Sequence, residues 1–157
     1  MRRMAIADRF DHVSIATRKM ASMVPLVRDV LGARFLMGAE ETARHFRWAQ
    51  FQLPGGGIIE LMEPTDDDGF VARFLKRRGE GVHHLTFRVK DLRRRLEELE
   101  TAGWQPVDVS LDDPTWREAF IHPKDAHGVL IQLAESELSY PEEVSFFQQL
   151  DLALLEP

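Results

Sequence analysis

Apolar and polar positions repeat with a period near two in short runs and near 3.6 in longer ones, which predicts a series of strands and helices. Phe10–Ile15 is the first expected strand, with Asp11 and His12 set among apolar residues. Met23, Val27 and Val30/Leu31 predict a helix from about Ser22 to Leu31, with Ser22 as N-cap, Pro25 in the first turn and Gly32 at the C-terminal stop. Extended segments follow at Arg34–Met37 and Phe46–Leu53, either side of a polar stretch around Glu40 and Glu41. Pro54-Gly55-Gly56-Gly57 then turns the chain into Ile58–Met62. From Asp66 to Arg78 the acids come first and Lys76-Arg77-Arg78 last, the order a helix dipole favours. Gly81–Lys90 reads as a strand, and Asp91–Ala102 as a helix with Leu92, Leu96 and Leu99 on one face. Three more extended segments lie near Gln105–Val109, Trp116–Ile121 and Val129–Ala134.

The order strand, helix, three strands therefore occurs twice. His12 and His84 are 72 residues apart, as are Glu60 and Gln132. Asp11-His12-Val13 answers His83-His84-Leu85, and Ile59-Glu60-Leu61 answers Ile131-Gln132-Leu133. A period this long is a duplication rather than a solenoid repeat. It predicts one α+β domain over residues 1–157: two tandem βαβββ modules (about 9–64 and 80–135), a helical linker at 65–79 and an appendage at 136–157. Ser139–Pro157 lies beyond the duplication, and Val144, Phe147 and Leu150/Leu154 make a helical stripe that needs a partner, either this domain or a second chain.

Alternation places His12 with Ser14 and His84 with Thr86, opposite Val13/Ile15 and Leu85/Phe87. A single histidine in an apolar strand is ordinarily a hydrogen-bonded core residue. Four polar groups at matched positions of a duplicated unit need another reason. Modules related by a pseudo-twofold bring His12, Glu60, His84 and Gln132 towards one centre, and two imidazoles, a carboxylate and an amide oxygen suit a first-row divalent metal.

Composition narrows the picture. With 20 basic and 26 acidic residues, the net charge is −6, which opposes a groove that tracks nucleic-acid phosphates. There is no cysteine, so disulfides, thiolate metal sites and cysteine nucleophiles are excluded, and any metal is held by nitrogen and oxygen. No run reaches a membrane span of roughly 20 apolar residues, and Met1-Arg2-Arg3-Met4 lacks the apolar core of a signal peptide. These features predict a soluble, cytoplasmic chain. The triple glycine has no P-loop Lys-Ser/Thr after it and reads as a hairpin turn. Arg93-Arg94-Arg95, ahead of Glu97-Glu98, reads as a charge-paired solvated face.

Asp11-His12-Val13, Ile59–Pro64, Phe74–His84, His122-Pro123-Lys124 and Gly128–Leu133 resemble the vicinal oxygen chelate superfamily and, within it, the methylmalonyl-CoA epimerases, over about residues 9–135. The resemblance implies an open, cupped, eight-stranded sheet with helices outside. It also implies a homodimer and one divalent metal ion (Co, Mn, Ni, Zn, Fe or Mg) on His12, Glu60, His84 and Gln132. Of the two adjacent histidines the family pattern selects His84, as strand parity does. The implied chemistry is epimerisation of a small acyl thioester, such as an acyl-CoA, through a metal-stabilised enolate. Carboxylates near the metal act as base and acid. A glyoxalase I-like lyase, a non-haem iron dioxygenase using His12, His84 and Glu60, and a drug-sequestering binding module are the alternatives of the same fold.

The pattern departs from the epimerases at two places. The last-strand glutamate is Gln132, which cannot take a proton, and the carboxylate stands instead at Glu60, the expected catalytic base. The second base belongs on the strand before the glycine turn, yet no acid occurs from Thr42 to Leu53, and Trp48 sits near that position. His45, Glu118 and His127 are the candidates left for it. Trp48, His45, Arg117 and Lys124 are the expected substrate contacts, the last two as partners for acyl-carrier phosphates.

Overall fold

The computed structural model describes residues 4–157, so the basic start Met1-Arg2-Arg3 lies outside the described residues. The strands are β1 (Arg9–Ala16), β2 (Arg34–Glu41), β3 (Phe46–Gln52), β4 (Ile58–Pro64), β5 (Gly81–Arg88), β6 (Val107–Ser110), β7 (Arg117–Ile121) and β8 (Ile131–Glu135). The helices are α1 (Met20–Val24), α2 (Phe70–Arg78), α3 (Leu92–Thr101) and α4 (Tyr140–Phe146). The fold is α+β, and the eight strands belong to one sheet in the order β2-β3-β4-β1-β5-β8-β7-β6. Pairs β1/β4 and β5/β8 are parallel; β2/β3, β3/β4, β6/β7 and β7/β8 are antiparallel. This is the strand-helix-three-strand order, twice over, that the periodicity predicts. Among the described residues no helix is long and apolar enough to cross a membrane.

The chain divides into two compact units. One comprises Val13–His83 with Tyr140–Pro157, the other the residues up to His12 with His84–Ser139. In the first, Ile15, Ile59 and Leu61 on one face of β1 and β4 pack with Met20, Val24, Val27 and Phe51. Opposite them, Ala16, Trp48, Ile58 and Met62 share a core with Val71 and Leu75 of α2. In the second unit Leu92, Leu96 and Leu99 of α3 cover Leu133, Phe87 and Ile131. Asp91 caps α3 from a left-handed backbone, accepting from the Arg94 N–H at 3.3 Å.

The first helix departs from the sequence reading. It starts at Met20 after Lys19, and Ser22 lies inside it rather than capping it. Pro25 falls past its end, not in its first turn, and proline has no N–H to continue the α-helical ladder. The chain widens there into a π-helical turn over Pro25–Val30, closed by Leu31 N–H on the Leu26 carbonyl at 3.0 Å. The wider turn rotates the stripe, so Val24 and Val27 are buried whereas Val30 and Leu31 are exposed.

The C-terminal stripe finds its partner within its own unit. Val144 and Phe147 pack on the α2-side core, and Leu150 and Leu155 on the α1-side core. Gly38 of β2 bonds this tail twice: its N–H donates to the Phe147 carbonyl at 2.9 Å, and its carbonyl accepts from Gln149 N–H at 3.1 Å. A Cβ at position 38 would lie 2.6 Å from the Trp48 carbonyl oxygen, so the close approach requires glycine.

Candidate functional site

Each unit carries one parallel strand pair in the same register. Ser14 faces Glu60 across β1/β4, and Thr86 faces Gln132 across β5/β8. In both, the hydroxyl binds the residue opposite: Ser14 Oγ donates to Glu60 Oε1 at 2.7 Å, and Thr86 Oγ1 to Gln132 Oε1 at 2.5 Å. All four side chains are buried, while flanking Val13, Ile15, Leu85 and Phe87 are only partly so. The polar face of these strands is thus the more enclosed one, and burying polar groups is tolerable only when each is bonded.

In the first unit Glu60 also accepts from Gln50 Nε2 of β3, at its other oxygen, Oε2, at 2.9 Å. In the second, His12 is 1% exposed and His84 is 6% exposed, and their ring centroids lie 6.0 Å apart. Asp11 Oδ2 lies 2.8 Å from His12 Nδ1. With the Nδ1 proton directed at that carboxylate, the lone pair is left on Nε2, which lies 3.1 Å from Thr86 Oγ1. Burial pushes the Asp11 carboxyl up, but the His12 hydrogen bond and the Arg88 guanidinium outweigh it and hold it below the usual carboxylate value. Arg88 Nε reaches Asp11 Oδ1 at 3.0 Å, and its guanidinium lies 4.6 Å from the Trp116 ring centroid. Trp116 Nε1 donates to Glu118 Oε2 at 3.0 Å, and Gln132 Nε2 donates to the same oxygen at 2.6 Å. Asp11, His12, Thr86, Gln132, Glu118, Trp116 and Arg88 therefore close a ring of polar contacts. Strand alternation in the sequence singles out His12, Thr86 and Gln132 of this ring, but leaves Glu118 unplaced and gives no sign of Asp11, Arg88 or Trp116 as their partners. The Asp11–Arg88 pair spans 77 positions, and no local pattern signals it.

The adjacent histidines separate as parity requires. His83 belongs to the first unit and packs on Phe74 and Phe70, with centroids 4.8 and 5.4 Å away. Burial lowers its pKa from 6.5 to about 4, assisted by Arg44 and Arg78 and opposed by Glu60. The unfolded chain thus protonates His83 before the folded one as pH falls. Its contribution is complete above about pH 6.5 and drains away towards about pH 4, a loss of about 3 kcal/mol. Urea unfolding at pH 7 and pH 4 should show this drop in the wild type and a correspondingly smaller one in His83→Leu. Equal drops would refute it.

The four expected substrate contacts divide between the units, Trp48 and His45 in the first, Arg117 and Lys124 in the second. Trp48 lies on the Glu60 face of its unit, buried under Phe147, with Nε1 donating to Glu41 at 3.3 Å. His45 is left-handed at the turn before β3, and its Nδ1 contacts Asp66. Arg117 donates to Glu137 at 2.6 Å and to the Leu111 carbonyl at 3.1 Å. Lys124 is exposed in the β7–β8 connection, where His127 also lies.

Comparison with known proteins agrees with this architecture. Residues 11–120 match the model of the Glyoxalase/Bleomycin resistance protein/Dioxygenase superfamily. The uncharacterised protein YqjC of Bacillus subtilis is 32% identical over 130 residues, covering 82% of this chain and 92% of that one. The crystal structure of methylmalonyl-CoA epimerase from Mycobacterium tuberculosis superposes with a TM-score of 0.78 at 33% identity, over 88% of this chain and 94% of that one. A Streptomyces coelicolor methylmalonyl-CoA epimerase variant, in complex with 2-nitronate-propionyl-CoA, gives a TM-score of 0.73 at 29% identity, over 84% and 99%. The chain belongs to the Glyoxalase/Bleomycin resistance protein/Dioxygenase superfamily.

Proposed function

We propose that the protein is a divalent-metal-dependent isomerase that epimerises a methylmalonyl-CoA-like acyl thioester, with His12, Glu60, His84 and Gln132 as the metal ligands. The observation that carries this reading is the pair of matched strand pairs. In one, Ser14 holds Glu60; in the other, Thr86 holds Gln132; and a histidine stands two residues before each hydroxyl, His12 on β1 and His84 on β5. The donor set suits a first-row divalent ion, since it offers imidazole nitrogen, carboxylate oxygen and amide oxygen, all on buried side chains. The outer contacts suit one too. Asp11 fixes the His12 tautomer with Nε2 available, and Glu118 holds the Gln132 amide nitrogen so that the oxygen is the group presented.

A divalent ion bound there supplies a Lewis acid for the charge that develops on the thioester oxygen. The chain's own part is proton movement. Glu60 takes the proton from the carbon α to the thioester carbonyl, and the C–H electron pair moves into that carbonyl to give the enolate. A second acid returns a proton to the opposite face, and the configuration inverts. Relatives that carry the epimerase name, one in complex with a propionyl-CoA analogue, support an acyl-CoA substrate. A homodimer in the cytoplasm, each chain one domain of two modules, is part of the same reading.

Proton NMR in deuterated water tests it. Metal-loaded protein with methylmalonyl-CoA should wash out the α-proton signal. No exchange with metal bound would refute the epimerase assignment.

A further inference from the structure

The same row of strand residues is filled in opposite ways in the two units. In the first, Ala16 pairs with Met62 and Met62 with Trp48 across β1, β4 and β3, and all three are buried in the core that Val71 and Leu75 of α2 share. Ala16 and Met62 return 72 residues on as Arg88 and Ala134, and Ala134 pairs in turn with Glu118. A buried guanidinium and a buried carboxylate thus flank the alanine of the second unit. The fold accepts apolar side chains in this row, as the first unit shows, whereas a charge taken out of water must be paired in good geometry. The polar row therefore calls for a reason beyond folding.

Two chains of contacts start from it, all within the second unit. The Arg88 guanidinium lies 4.6 Å from the Trp116 ring centroid, and this stack joins them. On one side Arg88 Nε donates to Asp11 Oδ1 at 3.0 Å, and the other oxygen of Asp11 lies 2.8 Å from His12 Nδ1. On the other side Trp116 Nε1 donates to Glu118 Oε2 at 3.0 Å, and the same oxygen accepts from Gln132 Nε2 at 2.6 Å. Both chains end at one hydroxyl: His12 Nε2 lies 3.1 Å, and Gln132 Oε1 2.5 Å, from Thr86 Oγ1. We infer that Arg88 and Trp116 are positioning residues for these two donor atoms. Arg88, acting through Asp11, keeps His12 Nε2 at Thr86; Trp116, acting through Glu118, keeps Gln132 Oε1 there. This rests on the metal reading of His12 and Gln132. Turned over, the imidazole would lose its bond to Asp11, and the amide would set its oxygen against the Glu118 carboxylate. Arg9 also reaches Asp11 Oδ1 at 3.0 Å, but its side chain is half-exposed, and exposed ion pairs contribute little.

Calorimetric titration of metal-free protein with cobalt(II), beside NMR of the histidine side-chain nitrogens in the metal-free state, tests this. Arg88→Met should weaken cobalt(II) binding by about 10–100-fold and let His12 sample both tautomers, where the wild type shows the Nδ1–H form alone. Trp116→Phe, which keeps a ring beside the guanidinium but not the N–H, should weaken binding by about 10-fold with the His12 tautomer unchanged. Arg88→Lys keeps the charge without the planar fork; it should recover part of the affinity lost in Arg88→Met and guards against a folding defect there. Arg9→Met should bind as the wild type does. Wild-type affinity in either Arg88→Met or Trp116→Phe would overturn the inference, as would an Arg9→Met protein weakened as far as Arg88→Met. So would an Arg88→Met protein that is less stable yet keeps a single His12 tautomer, the mark of a residue that only braces the fold. Wild-type protein that binds no cobalt(II) overturns the metal reading itself, and this inference with it.

Discussion

His84→Ala is expected to lose its bound metal and, with it, epimerisation by roughly a thousand-fold or more, the kinetic equivalent of about 4 kcal/mol of transition-state stabilisation. His83→Ala, one residue away, should keep both. The contrast follows from strand parity alone. His84 shares its face with Thr86, whose hydroxyl holds Gln132, and it lies 6.0 Å, ring to ring, from His12. His83 faces the other way, onto Phe70 and Phe74. Removing that imidazole leaves a cavity under α2 and should cost about 2 kcal/mol of stability. Metal per chain by atomic emission, beside urea unfolding, separates the two. A His84→Ala protein with a full complement of metal, or a His83→Ala protein without it, would reverse the assignment. Part of any stability lost in His84→Ala should also vanish when both proteins are stripped of metal, since a bound ligand adds stability only to the state that binds it.

What the sequence made legible is what repeats. Period-two alternation predicts β1, β4, β5 and β8, and the 72-residue offset pairs His12 with His84 and Glu60 with Gln132 because those strands keep one register in both units. The ruler fails where a connection changes length. Glu118 pairs with Ala134 sixteen residues on, whereas Trp48 pairs with Met62 fourteen residues on; the two-residue difference moves Glu118 off the 72-residue mark, so it reads as an unplaced acid. The facing of the first helix is hidden for a different reason. Pro25 converts its second half to a π-helical turn, which turns Val30 and Leu31 outward and fixes Met20 and Val24 as the buried positions. The Asp11–Arg88–Trp116 contacts are long-range and leave no periodic trace. That Trp48 lies under Phe147 rather than open to a substrate depends on the tail's docking, which alternation within β3 cannot report.

Deleting residues 140–157 should destabilise the first unit by about 5 kcal/mol, since full burial of each leucine is worth about 1.5–3 kcal/mol and Leu150 and Leu155 are 9% and 5% exposed. Natural domains hold only about 5–15 kcal/mol in total, so the shortened chain would be marginally folded at best. The milder Leu150→Ala should cost about 2–4 kcal/mol through lost burial and the cavity left behind. Tryptophan emission gives this prediction a local readout. Trp48 lies beneath Phe147, 5.4 Å between ring centroids, whereas Trp104 and Trp116 belong to the other unit. Uncovering Trp48 should shift emission to the red, and Trp48→Phe should remove most of that shift. Unchanged stability and emission in the deletion would mean that the apolar stripe of the tail has its true partner elsewhere. The consequence would reach the chemistry, because Trp48 stands two residues before Gln50 on the same strand face, and Gln50 holds the second oxygen of Glu60. A loosened β3 would free that carboxylate to rotate, so the deletion should weaken metal binding even in molecules that remain folded.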